Sequence, residues 1–210
     1  MHRTRVKVCG ITHPRDGCNA AMLGVDAIGL VFYGKSPRVV DSLTARQIVL
    51  ALPPFVTPVG LFVNADPAEI HAILRQVPLG MLQFHGNENP EICASFGLPF
   101  IKAVPMGAAA SVEDYARRFA TAAGLLLDSH DNTTTGGSGR RFDWQLIPNK
   151  FPKPIVLAGG LTPDNVAEAI KRFRPFAVDV SSGVESAKGV KDPDLMQAFM
   201  KGVESGGYCA

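Results

Sequence analysis

Eight short apolar runs recur along the chain, and stretches with helical signals separate them. The runs cover residues 6–9, 27–32, 59–63, 81–85, 100–104, 124–128, 155–159 and 177–181. Because apolar strands that alternate with helices usually form a parallel sheet, this order predicts a sheet wrapped by helices. Eight such units predict an α/β protein with one (βα)8 TIM barrel over residues 1–210.

Helix starts are marked between several of the runs. Proline at the first helical position is favoured, because its missing N–H would be unpaired there anyway. The pairs Asp66-Pro67, Asn89-Pro90 and Thr162-Pro163 therefore predict three helix starts. Threonine is a good N-cap, so we expect Thr12 and Thr44 to cap the helices after the first and second strands.

Composition limits the classes of partner. The chain has 210 residues, is 46% hydrophobic and carries a net charge of +2, with no basic tract and no long apolar run. We therefore expect neither nucleic acid nor a membrane as a partner. The cysteines lack zinc-ligand and Cys-x-x-Cys spacing, and no apolar export segment precedes the first strand, which favours reduced thiols and a cytoplasmic location. The four are Cys9, Cys18, Cys93 and Cys209.

The polar residues stand where the strands end, which is where a barrel of this kind carries its active site. Cys9 ends the first strand. It is compatible with a small buried hydrophobe, the commoner role of a free cysteine. Lys7 favours chemistry, because it shares the inner strand face with Cys9 and its charge is expected to lower the pKa of the thiol.

Two aspartates join this group. Asp179 lies on the eighth strand, which neighbours the first once the barrel closes, so we predict an ion pair between Lys7 and Asp179. The alternative for Asp179 is hydrogen bonding to backbone groups. Asp128 ends the sixth strand and is a candidate general acid, although a helix cap or a loop stabiliser would also fit.

A phosphate site is predicted at the ends of strands seven and eight. Glycine lets backbone N–H groups approach an anion closely, and these barrels often bind phosphate at the loops after their last two strands. A tight turn is the alternative for either loop alone, but both together favour a phosphate. The candidate residues are Gly159, Gly160, Ser181, Ser182 and Gly183.

Three further features lie in loops at the same edge. Arg38 follows a proline and offers a planar fork for a carboxylate, with a solvated surface arginine as the alternative. His85 ends the fourth strand and suits a ligand contact, a structural hydrogen bond or an acid–base group. A glycine-rich segment after strand six is either a lid over the site or a plain connection, and consists of Gly136, Gly137, Ser138 and Gly139.

These pieces, in this order, resemble the phosphoribosylanthranilate isomerase family. The matching segments span nearly the whole chain, with minor departures at Phe84 and Ser138. They are Lys7-Val8-Cys9-Gly10-Ile11-Thr12, Ser36-Pro37-Arg38, Gln83-Phe84-His85-Gly86, Leu127-Asp128-Ser129, Gly136-Gly137-Ser138-Gly139, Phe142-Asp143-Trp144, Leu157-Ala158-Gly159-Gly160-Leu161, Val180-Ser181-Ser182-Gly183-Val184-Glu185 and Gly189-Val190-Lys191-Asp192.

The resemblance implies an Amadori rearrangement of N-(5-phosphoribosyl)anthranilate without cofactor or metal. It implies Asp128 as the general acid at the furanose ring oxygen and Cys9, as thiolate, as the base at C2. By the same analogy Arg38 binds the anthranilate carboxylate and the loops at Gly160 and Ser182 bind the phosphate. Lys7, His85 and Asp179 line the pocket, and the oligomeric state is left open between monomer and homodimer.

Two other functions remain as alternatives, and a third is disfavoured. An isomerase of the related step in histidine synthesis normally employs two carboxylates, whereas a cysteine ends the first strand here. A non-enzymatic phosphate-ligand module would need neither Cys9 nor Asp128 near the ligand. Metal-dependent hydrolysis is disfavoured, because the five histidines show no metal-ligand spacing.

Overall fold

A computed structural model describes residues 3–106, 110–129 and 153–207. Eight parallel strands form a closed barrel in the order β1 to β8, which confirms the predicted (βα)8 fold. Their bounds are Arg5–Cys9 (β1), Ala27–Val31 (β2), Thr57–Phe62 (β3), Met81–Phe84 (β4), Phe100–Pro105 (β5), Gly124–Asp128 (β6), Ile155–Leu157 (β7) and Ala177–Val180 (β8).

Helices surround the barrel. In the described part of the chain they are Pro14–Met22 (α1), Ser42–Ala51 (α2), Pro67–Gln76 (α3), Pro90–Ala94 (α4), Val112–Arg118 (α5), Val166–Phe173 (α6) and Pro193–Gly207 (α7). A 3-10 turn at Ser182–Val184 and a small antiparallel hairpin, Glu185–Ala187 (β9) with Val190–Lys191 (β10), follow β8. No described helix is long and apolar enough to cross a bilayer.

Two of the predicted proline starts are confirmed, since α3 begins at Pro67 and α4 at Pro90. The third is wrong: α6 begins at Val166, because the side chain of Asn165 holds the preceding loop through Thr162 N and Gly160 O.

Both threonine caps are also wrong. His13 caps α1, with its Nδ1 accepting from Arg15 N at 3.1 Å. Asp41 caps α2, with its carboxylate accepting from Thr44 N at 2.7 Å. In α2 the threonine lies inside the first turn, where it supplies a donor instead of an acceptor.

Strand alternation separates the core from the site. Val6 and Val8 point outward into the large apolar layer beneath the helices, whereas Lys7 and Cys9 point into the barrel, as predicted. The lower interior is filled by a second apolar cluster. It comprises Ile101, Ala103, Leu126, Val156, Ala158 and Ala177. Polar inner side chains are therefore concentrated toward the carboxyl ends of the strands.

Candidate active site

The predicted ion pair closes the barrel between its first and last strands. Lys7 pairs with Asp179 in the register of β1 and β8, and Lys7 Nζ lies 2.9 Å from Asp179 Oδ1. Both side chains are more than nine-tenths buried. Burial alone would lower the pKa of Lys7, but the carboxylate of Asp179 and the Cys9 thiol together raise it, so the ammonium form is retained.

Cys9 lies directly above this pair on the same face of β1, and it is 6% exposed. Gly29 on β2 is opposite it. A Cβ atom at position 29 would lie 2.7 Å from Cys9 Sγ and 3.0 Å from Lys7 Nζ. The missing side chain at Gly29 thus provides the space in which the thiol and the ammonium group meet.

The expected low pKa of Cys9 is wrong. Burial raises the pKa of the thiol by more than the nearby cations lower it. Lys7 acts in the predicted direction, with a smaller contribution from Lys191, while Asp179 opposes them. The thiol is therefore the favoured form of Cys9 at neutral pH.

His85 and Asp128 meet across the rim from Cys9. His85 Nε2 lies 3.0 Å from Asp128 Oδ2, and His85 Nδ1 lies 3.0 Å from Gln83 Nε2. Gln83 and Asp128 thus contact the two ring nitrogens of His85, and together they fix the orientation of its imidazole. The sequence left the role of His85 open, and the structure places His85 in contact with the candidate acid, Asp128.

The two halves of the rim are electrostatically connected through Asp179. Burial raises the pKa of Asp179, Lys7 counteracts this, and both Asp128 and His85 contribute to the balance. Cys9 interacts with Lys7 and Asp179 from the other side. The parallel strands β1 and β6 place Cys9 and Asp128 at the same end of the barrel. The thiol and the carboxyl group therefore belong to one site.

Arg38 lies at the edge of this site and is buried, which rules out the solvated surface arginine. Its Nε and Nη2 each lie 2.7 Å from a carboxylate oxygen of Glu185. The stem of Arg38 crosses Gly10, where a Cβ atom would lie 2.4 Å from Arg38 Cδ. Glu185 thus accepts from Nε and from one N–H of Nη2, so the other donors of the guanidinium are those of Nη1 and the second N–H of Nη2.

Glu185 and Lys191 are site residues that the sequence reasoning did not identify. Lys191 Nζ lies 2.7 Å from Glu185 Oε1 and 3.1 Å from the carbonyl oxygen of Ser181. Burial alone would raise the pKa of Glu185, but hydrogen bonds from Arg38 and Lys191 hold it below its usual value. Both residues stood in the matched segments, yet neither was assigned a role.

The two glycine loops predicted to bind phosphate are in direct contact. Gly159 and Gly160 both have positive φ angles, of 80° and 70°. A Cβ atom at Gly159 would lie 2.5 Å from Ser129 N, and one at Gly183 would lie 2.0 Å from Leu161 O. The loops after β7 and β8 therefore form one surface at the rim, next to Ser181 and Ser182.

Another buried ion pair, between Lys102 and Glu88, supports the loop that carries His85. Lys102 Nζ donates to Phe84 O at 3.2 Å, Gly86 O at 2.6 Å and Glu88 Oε2 at 3.0 Å. Glu88 accepts from the Gly86 backbone N–H at 2.9 Å. These contacts fix the backbone on both sides of His85. These contacts were not predicted from the sequence, because Lys102 points outward from β5 beneath the helices.

The predicted glycine-rich lid at Gly136, Gly137, Ser138 and Gly139 lies outside the described residues. Within the described ranges, no group of three or more histidine, cysteine, aspartate or glutamate side chains is arranged to hold a metal ion.

The fold and the rim define the class of protein: a (βα)8-barrel enzyme whose thiol, carboxyl group and imidazole are suited to proton transfer. The sequence profile of the N-(5'phosphoribosyl)anthranilate (PRA) isomerase family matches residues 6–202. The chain therefore belongs to the N-(5'-phosphoribosyl)anthranilate isomerase family, and it is an isomerase.

Individual relatives agree with this assignment. The N-(5'-phosphoribosyl)anthranilate isomerase of Nitrosococcus oceani is 54% identical over 203 residues, which is 97% of this chain and 98% of that protein. The solved isomerase of Thermotoga maritima has a TM-score of 0.83 at 42% identity, covering 96% of this chain and 98% of its own.

A third relative, a phosphoribosyl anthranilate isomerase solved with reduced 1-(o-carboxyphenylamino)-1-deoxyribulose 5-phosphate, has a TM-score of 0.80 at 41% identity. That match covers 96% of this chain and 98% of the other.

Proposed function

We propose that this protein converts N-(5-phosphoribosyl)anthranilate into 1-(2-carboxyphenylamino)-1-deoxyribulose 5-phosphate, a step of tryptophan synthesis, in the cytoplasm and without a cofactor. One observation carries the proposal: Cys9 ends β1, Asp128 ends β6, and both side chains point into the same rim of one barrel. The solved relative that holds a reduced form of the product supports the choice of substrate.

Asp128 is the proposed general acid for the first step. Its carboxyl group donates a proton to the furanose ring oxygen, the bond from that oxygen to C1 breaks, and the anthranilate nitrogen supplies electrons to form an iminium ion. His85 holds this carboxyl group through the 3.0 Å contact to Nε2. Gln83 fixes the imidazole on its other nitrogen, so that the acid is oriented before the substrate arrives.

Cys9 is the proposed base for the second step. Its thiolate removes the proton from C2, the C2–H electrons form a double bond to C1, and the iminium electrons return to nitrogen. The resulting enolamine tautomerises to the ketone. The thiolate is stabilised by Lys7 and Lys191, which both interact with the sulfur. The cations around Cys9 therefore favour the thiolate that removes this proton.

The substrate is held at both of its anionic ends. The N–H groups of Nη1 and the second N–H of Nη2 bind the anthranilate carboxylate, because Glu185 already occupies Nε and one N–H of Nη2. The backbone of Gly159, Gly160, Ser182 and Gly183, with Ser181, binds the phosphate. Arg38→Ala is therefore expected chiefly to raise KM, since this contact is present in both ground and transition states.

Turnover of two substrates tests the proposal. Purified protein should deplete the fluorescence of phosphoribosylanthranilate, and it should leave the corresponding aminoaldose of histidine synthesis unchanged at the same enzyme concentration. Turnover of only the histidine-pathway substrate would overturn the assignment. Binding of phosphoribosylanthranilate without any conversion would instead identify a phosphate-ligand module.

A further inference from the structure

The hairpin of β9 and β10 joins the two ends of the site through buried charges. Glu185 begins β9 and accepts two hydrogen bonds of 2.7 Å from Arg38. Lys191 ends β10 and donates to Glu185 at 2.7 Å and to Ser181 O at 3.1 Å. A continuous chain of contacts therefore runs from the guanidinium of Arg38 to the backbone at the end of β8.

We propose that Glu185 and Lys191 are positioning residues, which orient Arg38 toward the substrate carboxylate and fix its distance from the phosphate loop. The inference rests on the proposed function. Neither residue needs to touch the substrate, because each acts through a group that does: Glu185 through Arg38, and Lys191 through Glu185 and Ser181.

Stability alone does not explain this arrangement. The side chain of Lys191 is 0% exposed, and burying an ion pair is often no better for stability than an apolar pair of similar volume. The Glu185 carboxylate is in contact with two cations, so the three groups retain one positive charge. That charge lies near Cys9, which interacts with both Arg38 and Lys191. We therefore assign these buried charges a role in the active site in addition to any role in stability.

The hairpin is itself held against the start of the barrel, which makes it a fixed support. Thr12 Oγ1 donates to Gly189 O at 2.6 Å, and Lys191 N donates to Asp16 Oδ2 at 3.2 Å. Gly189 also packs on the loop that carries Arg38, since a Cβ atom there would lie 3.3 Å from Pro37 O. The loop before α1, the first turn of α1 and the loop that carries Arg38 are thus all in contact with the same short hairpin.

Orientation follows from the geometry of the guanidinium. An arginine held only by its flexible stem would sample several rotamers and would lose that freedom on binding. Glu185 fixes the plane of the Arg38 guanidinium with two hydrogen bonds, so that Nη1 and Nη2 face one direction before the substrate arrives. Without Glu185, that ordering has to be achieved at the expense of substrate affinity.

A double-mutant cycle tests the inference in the full-length chain with phosphoribosylanthranilate as the substrate. Glu185→Gln keeps the shape and removes the charge. It should raise KM by about 10-fold, the loss of roughly one charge-assisted hydrogen bond, with a smaller change in kcat. In an Arg38→Ala background, Glu185→Gln should raise KM no further, because its effect passes through Arg38. Lys188→Met on the same hairpin is the control, since Lys188 is exposed.

Folding is monitored by circular dichroism. If Glu185→Gln does not fold, the paired change Glu185→Gln with Lys191→Met, which removes one charge of each sign, takes its place in the cycle. Equal KM increases from the Glu185 change with and without Arg38 would overturn the inference, as would an unchanged KM. Failure of the proposed function has a different signature, because the unaltered protein would then not convert phosphoribosylanthranilate at all.

Discussion

Lys7 and Asp179 are 172 positions apart in the chain, yet they form a 2.9 Å ion pair inside the barrel. The pair joins the first strand to the eighth at the level just below Cys9. It also connects the thiol to the His85 and Asp128 side of the rim, since Asp179 interacts with both of those groups. One contact therefore contributes to barrel closure and to the electrostatics of the site.

Removal of one partner of this pair should be costly. Lys7→Met leaves the Asp179 carboxylate buried without its cation, and a buried unpaired charge typically costs about 3–5 kcal/mol of unfolding free energy. The double change Lys7→Met with Asp179→Leu should recover most of that loss, because no lone charge remains. Urea denaturation of the three variants measures both effects. Equal stability of the single and double variants would contradict the assignment of a tightly coupled pair.

The Cys9 thiol should titrate above its ordinary range. Burial raises the pKa of Cys9 above its ordinary value of 9.0, so the thiolate should appear only at higher pH. Lys7→Met should move its appearance to still higher pH, because Lys7 is the largest influence that lowers this pKa. The ultraviolet absorbance of the thiolate, measured as the difference from a Cys9→Ser variant, follows this titration; kcat/KM does not report it directly, because the proposed mechanism also requires Asp128 in its protonated form. A Cys9 thiolate already formed at neutral pH would contradict the account.

Gly29 should tolerate no side chain. A Cβ atom there would lie 2.7 Å from Cys9 Sγ and 3.0 Å from Cys9 Cα, so Gly29→Ala has to displace the proposed base. Because displacement of a catalytic group by about 1 Å can cost ~10²-fold, we expect kcat to fall by about that factor while the barrel still folds. Gly207→Ala is the control, since a Cβ atom at Gly207 meets nothing within 4 Å. Full activity of Gly29→Ala would mean that Cys9 is free to move without consequence.

His85→Gln should lower kcat by about 10-fold or more without a matching rise in KM, since it removes the group that orients Asp128. Asp128→Asn should lower kcat further, by ~10²–10⁴-fold, because the amide cannot donate a proton as the carboxylic acid does. The two losses are compared by steady-state kinetics of both single variants and of the double variant. Additive losses in the double variant would show that His85 acts independently of Asp128.

Much of this site follows from strand parity and strand order. Lys7 and Cys9 alternate with two valines, which assigns them to the inner face, and barrel closure then makes Asp179 a neighbour of Lys7. The strand ends were predicted one or two residues too long at several places, including His85 and Gly159, because apolar residues continue into the loops.

Other features of the site could not be predicted from the sequence. Glu185 and Lys191 lie in strands of three and two residues, which are too short for any alternation to appear in the sequence. The pKa of Cys9 depends on a competition between burial and nearby cations, and the sequence indicated the cations but not the extent of burial. The fork of Arg38 suggested a substrate carboxylate, while its Nε side is occupied by a carboxylate of the protein itself.

The central claim is that the sulfur of Cys9 removes a proton from the substrate, and the decay of phosphoribosylanthranilate fluorescence measures it most directly. Cys9→Ser should lower kcat by ~10²–10⁴-fold while the protein keeps the circular dichroism spectrum of the unaltered chain. Cys18→Ser, the same chemical change at a cysteine whose thiol contacts Ala51 O away from the rim, should have the full rate. A Cys9→Ser enzyme with unchanged kcat would contradict the account.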